Sequence, residues 1–309
     1  KMCLPNYGVF DEKRYFAQGA HYLLLNISGI KIGVTICEDI WIKEGPASVY
    51  AFLADADIII NLSASPYHMG KLHDRFKLVK HLSREIGAYV CYVNLIGGQD
   101  ELVFDGGSFI FDYQGRLQGL AKEFAEDLFI VDINNISRLR QRRSLQRKNL
   151  ERKAALLSSE IDKIIELKIK KKTGKKPLLP ARKIQKTLFC EEVYSALVLG
   201  LKDYVRKNGF RKAVLGLSGG IDSALVAMIA KDALGAENIT AVSMPSKFSS
   251  RQTRRDAKKI TENLGIGFFE IPIDQLYELY LDRLSGFFKG THPGIAEQNI
   301  QARIRGNIL

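Results

Sequence analysis

Cysteine is scarce in this 309-residue chain, with Cys3, Cys37, Cys91 and Cys190 the full set. None forms a Cys-x-x-Cys pair or stands near a histidine at metal-site spacing. That excludes a disulfide scaffold or a zinc knot and fits a reducing, cytoplasmic setting. No apolar run reaches the roughly 18 residues of a membrane span, and no secretory leader opens the chain. The Gly-Lys-Ser/Thr ending of a Walker loop is missing, as is the Gly-x-Gly-x-x-Gly of a Rossmann turn. Hydrophobic content (46%) and charged content (26%) are ordinary for a soluble globular protein, and the length allows two domains. The chain begins at Lys1 rather than Met and closes in an open helical pattern, Asn299 to Leu309, so it reads as a segment trimmed at both ends.

Charge of one sign is plentiful. Much of the formal +12 lies between Arg138 and Lys186, for example Arg140, Arg142, Arg143, Lys153 and the run Lys170 to Lys176. Nucleic-acid binding is one explanation, but no aromatics are interleaved and no nucleic-acid module is present. A solvated linker, or a surface meeting an acidic partner, is the preferred reading.

The most informative stretch is Leu215-Gly-Leu-Ser-Gly-Gly-Ile-Asp-Ser-Ala-Leu225. An apolar run precedes it and a run with helical spacing follows, so it reads as strand, glycine turn, helix. Gly219 and Gly220 let the backbone approach a ligand, and the helix N-terminus adds its positive end. Ser218 and Ser223 add hydroxyl donors beside Ile221. Asp222 would repel a phosphate unless a cation lay between them, so the pattern points to pyrophosphate with Mg²⁺ held by Asp222. A glycine-rich turn without chemistry is the alternative. Ser-Gly-Gly-x-Asp-Ser after a strand resembles the signature loop of the N-type ATP pyrophosphatases. Those enzymes cleave ATP to AMP and pyrophosphate while forming an adenylate.

Residues 1–133 read as strand-rich α/β. Strands are expected at Gly33–Ile36, Ala56–Asn61, Ala88–Val93, Ser108–Phe111 and Leu128–Val131, and helices at Ala47–Ala54 and Asp74–Ile86. The last two strands are expected to form a hairpin turning at Tyr113-Gln-Gly115. Asn149 to Lys170 has the periodicity of a charged helix, and Pro177 and Pro180 break any helix beyond it. From Glu191 a second α/β pattern starts, with helices at Val193–Lys207 and Thr253–Leu264 and strands at Ile239–Met244 and Gly267–Ile271. Strands alternating with helices imply a doubly wound parallel sheet with ligands at the strands' carboxyl ends. The expected division is 1–136, a basic linker 137–190, and 191–309.

In the first part, Gly33-Val-Thr-Ile-Cys37-Glu38-Asp39 ends an apolar run on a cysteine at a turn. Backbone N–H groups can surround such a thiol, as a nucleophile needs; a small buried hydrophobe is the bland alternative. Lys1-x-x-Leu-Pro-Asn-Tyr7 precedes it, and Asn61-Leu-Ser-Ala-Ser65-Pro-Tyr67 and Asn94-x-x-Gly-Gly98 to Asp105-Gly-Gly-Ser108 follow. These four blocks, in this order, resemble the nitrilase/amidase superfamily in the form fused to an amide-transferring synthetase. The resemblance implies a partial α-β-β-α sandwich and a Glu–Lys–Cys triad, with Cys37 the nucleophile and Lys1 the oxyanion-stabilising cation. The general-base glutamate of that family lies upstream of its lysine and so precedes this chain; Glu38 is not that base. Tyr7, Ser65 and Lys71 are implied as contacts for the glutamine substrate. Packing and turn-making are the bland readings of Tyr7 and Ser65.

Two further blocks stand in the second part. Val242-Ser-Met-Pro-Ser246 runs on through Ser249, Ser250 and Thr253; N-capping is the bland reading of this polar stretch. Gln301 and Arg305 share a helix face at four-residue spacing, with Arg303 on another side. Together with the glycine loop they resemble the glutamine-dependent NAD⁺ synthetase family, over nearly the whole chain except the basic linker. The resemblance implies a second, partial domain of the ATP-pyrophosphatase (adenine nucleotide alpha hydrolase-like) fold, needing Mg²⁺. It implies that nicotinic acid adenine dinucleotide, ATP and glutamine give NAD⁺, AMP, pyrophosphate and glutamate. Ser218 to Ser223 and Ser246 would contact ATP and pyrophosphate; Gln301, Arg303 and Arg305 would contact ATP or the dinucleotide. Pairing of copies through the synthetase domain is also implied. The rival readings are another glutamine-fed ATP pyrophosphatase, a tRNA-modifying enzyme using the basic segment, and a non-catalytic regulatory fragment.

Overall fold

The computed structural model describes residues 1–145, 147–170, 187–287 and 294–309. In chain order the elements are α1 (Glu12–Tyr15), β1 (Tyr22–Ile27), β2 (Ile30–Ile36), α2 (Pro46–Leu53), β3 (Ile58–Ser63), α3 (Lys71–Ile86), β4 (Tyr89–Asn94), β5 (Ile96–Gln99), β6 (Leu102–Asp105), β7 (Phe109–Phe111), β8 (Leu117–Leu120), α4 (Ile136–Leu145), α5 (Arg147–Leu156) and β9 (Ile164–Ile169). Then come α6 (Phe189–Lys207), β10 (Ala213–Gly216), α7 (Ile221–Leu234), β11 (Ile239–Ser243), α8 (Arg251–Leu264), β12 (Gly267–Glu270), α9 (Asp274–Leu284) and α10 (Ile295–Ile308). The chain divides into two compact units, one of residues 1–97 and 102–193, the other of 98–101 and 194–309.

The first unit is built on a sheet ordered β8-β7-β4-β3-β2-β1-β9. Strands β2, β3 and β4 run parallel, with Thr35 opposite Asn61 and Asn61 opposite Tyr92. β1 and β2 join through Ser28 and Gly29, both at positive φ (51° and 86°), the backbone twist that a two-residue hairpin requires. Alternation along the strands sends Leu24, Ile59, Val90 and Tyr92 into the core formed with α2 and α3. Burying one such side chain contributes roughly 1.5–3 kcal/mol. Gly33 has to be glycine, because a Cβ there would lie 2.5 Å from the ring of Tyr50. On the opposite face Leu139 of α4 is fully buried against Ile58, Tyr89 and Tyr113.

Two expectations need correction here. The hairpin does turn at residues 113–115, but β7 pairs with Leu117–Leu120 and not with residues 128–131. Residues 128–131 form no strand; Phe129 lies over Gly119, where a Cβ would come within 2.1 Å of its ring. The single helix expected from Asn149 to Lys170 is broken. Helix α5 stops at Leu156, a 3₁₀ turn spans Ser158–Lys163, and β9 then pairs parallel with β1, Ile165 opposite Leu23. Ile164, Ile165, Leu167 and Ile169 fit a sheet edge as well as they fit a helix stripe, and β-branching favours the strand.

The basic segment also departs from a solvated linker. Arg140 donates to the buried carboxylate of Asp57 at 2.5 and 2.9 Å, and Arg143 to the carbonyls of Gly87 (3.1 Å) and Ala56 (2.6 Å). Lys153 reaches Glu85 at 3.2 Å and sits over the Phe52 ring. These cations fasten α4 and α5 onto the first unit. The basic run 171–176 and both prolines lie outside the described residues.

The second unit has a parallel sheet ordered β10-β11-β12. Ala241 packs with Ala227 of α7 and Ala257 of α8, whereas the next residue, Val242, packs with Tyr277 of α9 and Ile304 of α10. Consecutive residues of one strand thus feed cores on opposite faces, which is the doubly wound arrangement expected. The glycine loop leaves β10 at its carboxyl end.

Candidate functional sites

Cys37 follows β2 directly, at the carboxyl end of the parallel strands. Its φ is +48°, a conformation that a non-glycine residue occupies only when its surroundings hold it there. Asn61, fully buried on β3, donates to the Cys37 carbonyl (3.3 Å) and to Thr35 Oγ1 (3.0 Å). Ser63 in turn donates to Asn61 Oδ1 at 2.5 Å. Asp39 accepts from the backbone N–H groups of Ile36, Met2 and Cys3.

Lys1 forms an ion pair with Glu12, both side chains largely withdrawn from solvent. Burial pushes the Cys37 thiol up; the Lys1 cation and the backbone N–H of Ala64 pull it back, and Glu12 and Glu38 raise it again. A thiol, a cation, an N–H donor and two carboxylates therefore converge. The cation and the N–H donor favour a thiolate and a tetrahedral oxyanion, against the net upward push of burial and the two carboxylates.

Of the residues expected to hold glutamine, Tyr7 and Ser65 lie beside groups that act on the Cys37 thiol. Tyr7 is exposed and donates its hydroxyl to Glu38 Oε2 at 2.9 Å. Ser65 is buried next to Ala64, its N–H held by Asn94 Oδ1 at 3.1 Å. Lys71 opens α3 and sits 4.9 Å from the Trp41 ring centroid. Asn94 belongs to a deeper network: it donates to Asp105 Oδ1 (3.2 Å) and Gly106 O (3.0 Å). Arg75 is buried and meets Asp105 at 2.6 Å. Glu12 and Arg75 were not singled out in the sequence, and Asp39, Asn61, Asn94 and Asp105 stood in the motif blocks without a role of their own. Asp39 alone carried a local signal, two residues after the cysteine. The bonds that tie the others to Lys1, Cys37 and one another span 11 to 30 residues, a separation that only the fold closes.

In the second unit Ser218 to Ser223 form one connected loop. Gly220 N–H donates to Ser218 Oγ (3.2 Å), Ser218 N–H to Ser223 Oγ (3.3 Å), and Ser223 Oγ to Gly220 O (2.9 Å). Gly219 has φ +87°, and a Cβ on it would stand 2.1 Å from Thr253 O. Ile221 and Asp222 begin α7 and are exposed. The loop borders a cavity of about 320 Å³ lined also by Met244, Thr253, Arg254 and Arg305. Ser246 is buried and donates to Gln301 Oε1 at 3.1 Å; Arg305 donates to the Met244 carbonyl at 3.1 Å. Ser246, Gln301 and Arg305 are thus brought together, and Arg303 lies exposed on another side of α10, apart from them. Ser250 caps α8 by accepting from Thr253 N–H, which is the bland role anticipated for it. Among the described residues no cluster of three acidic, histidine or cysteine side chains could cage a metal.

Comparison with known proteins agrees with this layout. Residues 1–142 match the carbon-nitrogen hydrolase family and residues 193–309 match the NAD synthase family. The class is therefore a carbon-nitrogen hydrolase region joined to an NAD synthase region in one chain. The Thermotoga maritima glutamine-dependent NAD(+) synthetase is 44% identical over 100% of this chain and 53% of its own length. That of Aquifex aeolicus is 42% identical over the same shares. Among solved structures, the glutamine-dependent NAD(+) synthetase of Acinetobacter baumannii, in complex with adenosine diphosphate, superposes with a TM-score of 0.81 at 33% identity. The match covers 100% of this chain and 51% of that one. Over its whole length the chain is similar to glutamine-dependent NAD(+) synthetases, and it spans about half the length of the curated relatives it matches.

Proposed function

We propose that this chain carries the glutamine-hydrolysing site and the nucleotide loop of an enzyme that makes NAD⁺ from nicotinic acid adenine dinucleotide, ATP and glutamine. The observation that carries the reading is Cys37, held at positive φ at the end of a parallel strand with Lys1 and the Ala64 N–H acting on its thiol. Attack of the thiolate on the glutamine amide carbon gives a tetrahedral oxyanion, which Lys1 and nearby N–H groups stabilise. Collapse of that species, with the proton that the thiol gave up returned to the leaving nitrogen, forms a thioester and releases ammonia, and water then frees glutamate. Glu12, paired with Lys1, fixes where that cation sits. Tyr7, Ser65 and Lys71 hold the α-amino and α-carboxylate ends of the substrate.

In the second unit the N–H groups of Ser218 and Gly220 now rest on hydroxyls of their own loop, and we read them as exchanging those partners for pyrophosphate oxygens. The N-terminus of α7 favours the same anion. Asp222 fits a Mg²⁺ ion, which takes one or two carboxylates and completes its shell with phosphate oxygens and water. Bound there, the ion would offset charge on the leaving pyrophosphate. Arg305 lines the nucleotide cavity, with Gln301 and Ser246 bonded in series behind it, and Arg303 is assigned to the same ligand. That the Acinetobacter baumannii relative forms a complex with adenosine diphosphate supports a nucleotide as ligand. Pairing of copies through the second unit, a cytoplasmic location and the division 1–136, 137–190 and 191–309 belong to the same proposal. The chain has no described helix long and apolar enough to cross a membrane.

The test is NAD⁺ formation by the full-length protein from nicotinic acid adenine dinucleotide and Mg-ATP, with glutamine and with ammonium. NAD⁺ from both nitrogen donors is expected. Product from neither would reject the reading in favour of another adenylate acceptor, tRNA first.

A further inference from the structure

The segment that carries Lys1 is irregular: residues 1–6 form neither helix nor strand. It nevertheless has to present one ammonium group to one thiol. Within it the Lys1 carbonyl accepts from Gly19 N–H at 2.8 Å, and Pro5 O accepts from Glu12 N–H at 3.2 Å. These bonds join the segment to the loop around α1, not to the strand that ends in Cys37. The link to that strand is Asp39. Its Oδ1 accepts the N–H groups of Met2 (3.0 Å) and Cys3 (2.8 Å), and its Oδ2 accepts the N–H of Ile36 (3.0 Å). One buried carboxylate, 2% exposed, thus bridges the residues adjoining Lys1 and the residue preceding Cys37.

We propose that Asp39 is a positioning residue that sets Lys1 in register with Cys37. Three N–H donors on two oxygens fix the carboxylate in all directions, so the two segments cannot slide past each other without breaking charge-assisted hydrogen bonds. The Cys37 end is held independently by Asn61 on its carbonyl. The inference rests on the reading of Cys37 and Lys1 as partners, but not on any particular substrate.

The groups facing the Cys37 thiol are Lys1, Glu12 and Glu38, with Tyr7 and Tyr92 nearby. A charge effect and a positioning effect of Asp39 have opposite signs there. Removing a carboxylate's charge favours the thiolate and moves the thiol's titration to lower pH. Displacing Lys1 removes a stabilising cation and moves it to higher pH. The experiment is the pH dependence of Cys37 alkylation by iodoacetamide in the full-length protein, followed by mass spectrometry at that residue. Wild type, Asp39→Asn, Asp39→Glu, Lys1→Met and the Asp39→Asn/Lys1→Met pair are compared. Asp39→Glu keeps the charge and shifts only the oxygens, and it stands in should Asp39→Asn fail to fold.

Expected are midpoints moved upward in both Asp39 variants, with alkylation at pH 7 slowed roughly tenfold, as a lost neighbouring cation gives. The double variant should match Lys1→Met alone. A midpoint that stays or falls in Asp39→Glu, or a double variant whose shifts add in full, would overturn the proposal. A Lys1→Met midpoint equal to wild type would overturn the pairing of Lys1 with Cys37 and this inference with it. Loss of the upward shift with glutaminase activity intact sinks the latch alone; no glutaminase activity with the shifts present sinks the substrate reading alone.

Discussion

Around Cys37 the polar groups are mostly buried and each is held by a partner from another segment. Around Ser218 they are mostly exposed and bonded to one another within six residues. The first arrangement suits a reaction carried by the protein's own covalent nucleophile, where a small misplacement of thiol or cation costs rate. The second suits a ligand that brings its own charge and displaces weak internal hydrogen bonds as it enters. The two sites should therefore fail differently, through lost architecture in the first unit and through lost affinity in the second.

The largest break is expected at Arg75. Replacing it by Met strands the buried Asp105 carboxylate, which costs about 3–5 kcal/mol, and frees Asn94 and the Ser65 loop. Trp41 is the sole tryptophan and lies in the first unit, so its fluorescence in a denaturant titration reads that loss. An unchanged midpoint would show the Arg75–Asp105 pair to be dispensable. In the second unit, Gly219→Ala imposes both a left-handed φ and a contact with Thr253 O. That costs about 1–3 kcal/mol and weakens nucleotide binding, measured by calorimetry with ADP, with no shift in the Trp41 transition. Ser223→Ala should weaken ADP about three- to tenfold, the worth of one hydrogen bond; full affinity would mean that this hydroxyl serves only the loop.

The smallest effect concerns pH. Burial, then Asp39, pushes the Cys3 thiol from an ordinary 9 up to about 11. A raised folded-state value favours the protonated form. Its stabilisation is complete below pH 9 and is lost as pH rises toward 11. Cys3→Ala should flatten the decline in stability between those values, and an unchanged slope would place the cause elsewhere.

The contrast between the units also explains what the sequence disclosed. The glycine loop is local: strand, turn, hydroxyls and helix N-terminus fall within about ten residues, and its chemistry could be read from composition and order. The doubly wound second unit followed from the same alternation. Cys37 was legible as a strand-exit thiol with neighbouring motif blocks; Tyr7 and Ser65 fell beside groups that act on it, and Lys71 fell against Trp41. Glu12 and Asp39 were not, because their meaning depends on irregular segments meeting across the fold. Periodicity failed at residues 164–169, where an Ile-Ile-x-Leu-x-Ile pattern serves a strand edge as readily as a helix stripe. It failed at 128–131 because Phe129 covers Gly119 rather than joining a ladder.

The central claim is that one unit frees ammonia and the other uses it. The most direct measurement is NAD⁺ formation by the full-length Cys37→Ala and Asp222→Ala variants, each supplied in turn with glutamine and with ammonium. Cys37→Ala is expected to lose the glutamine-driven rate and keep the ammonium-driven one, and Asp222→Ala to lose both. Equal loss with the two donors in Cys37→Ala would contradict the account.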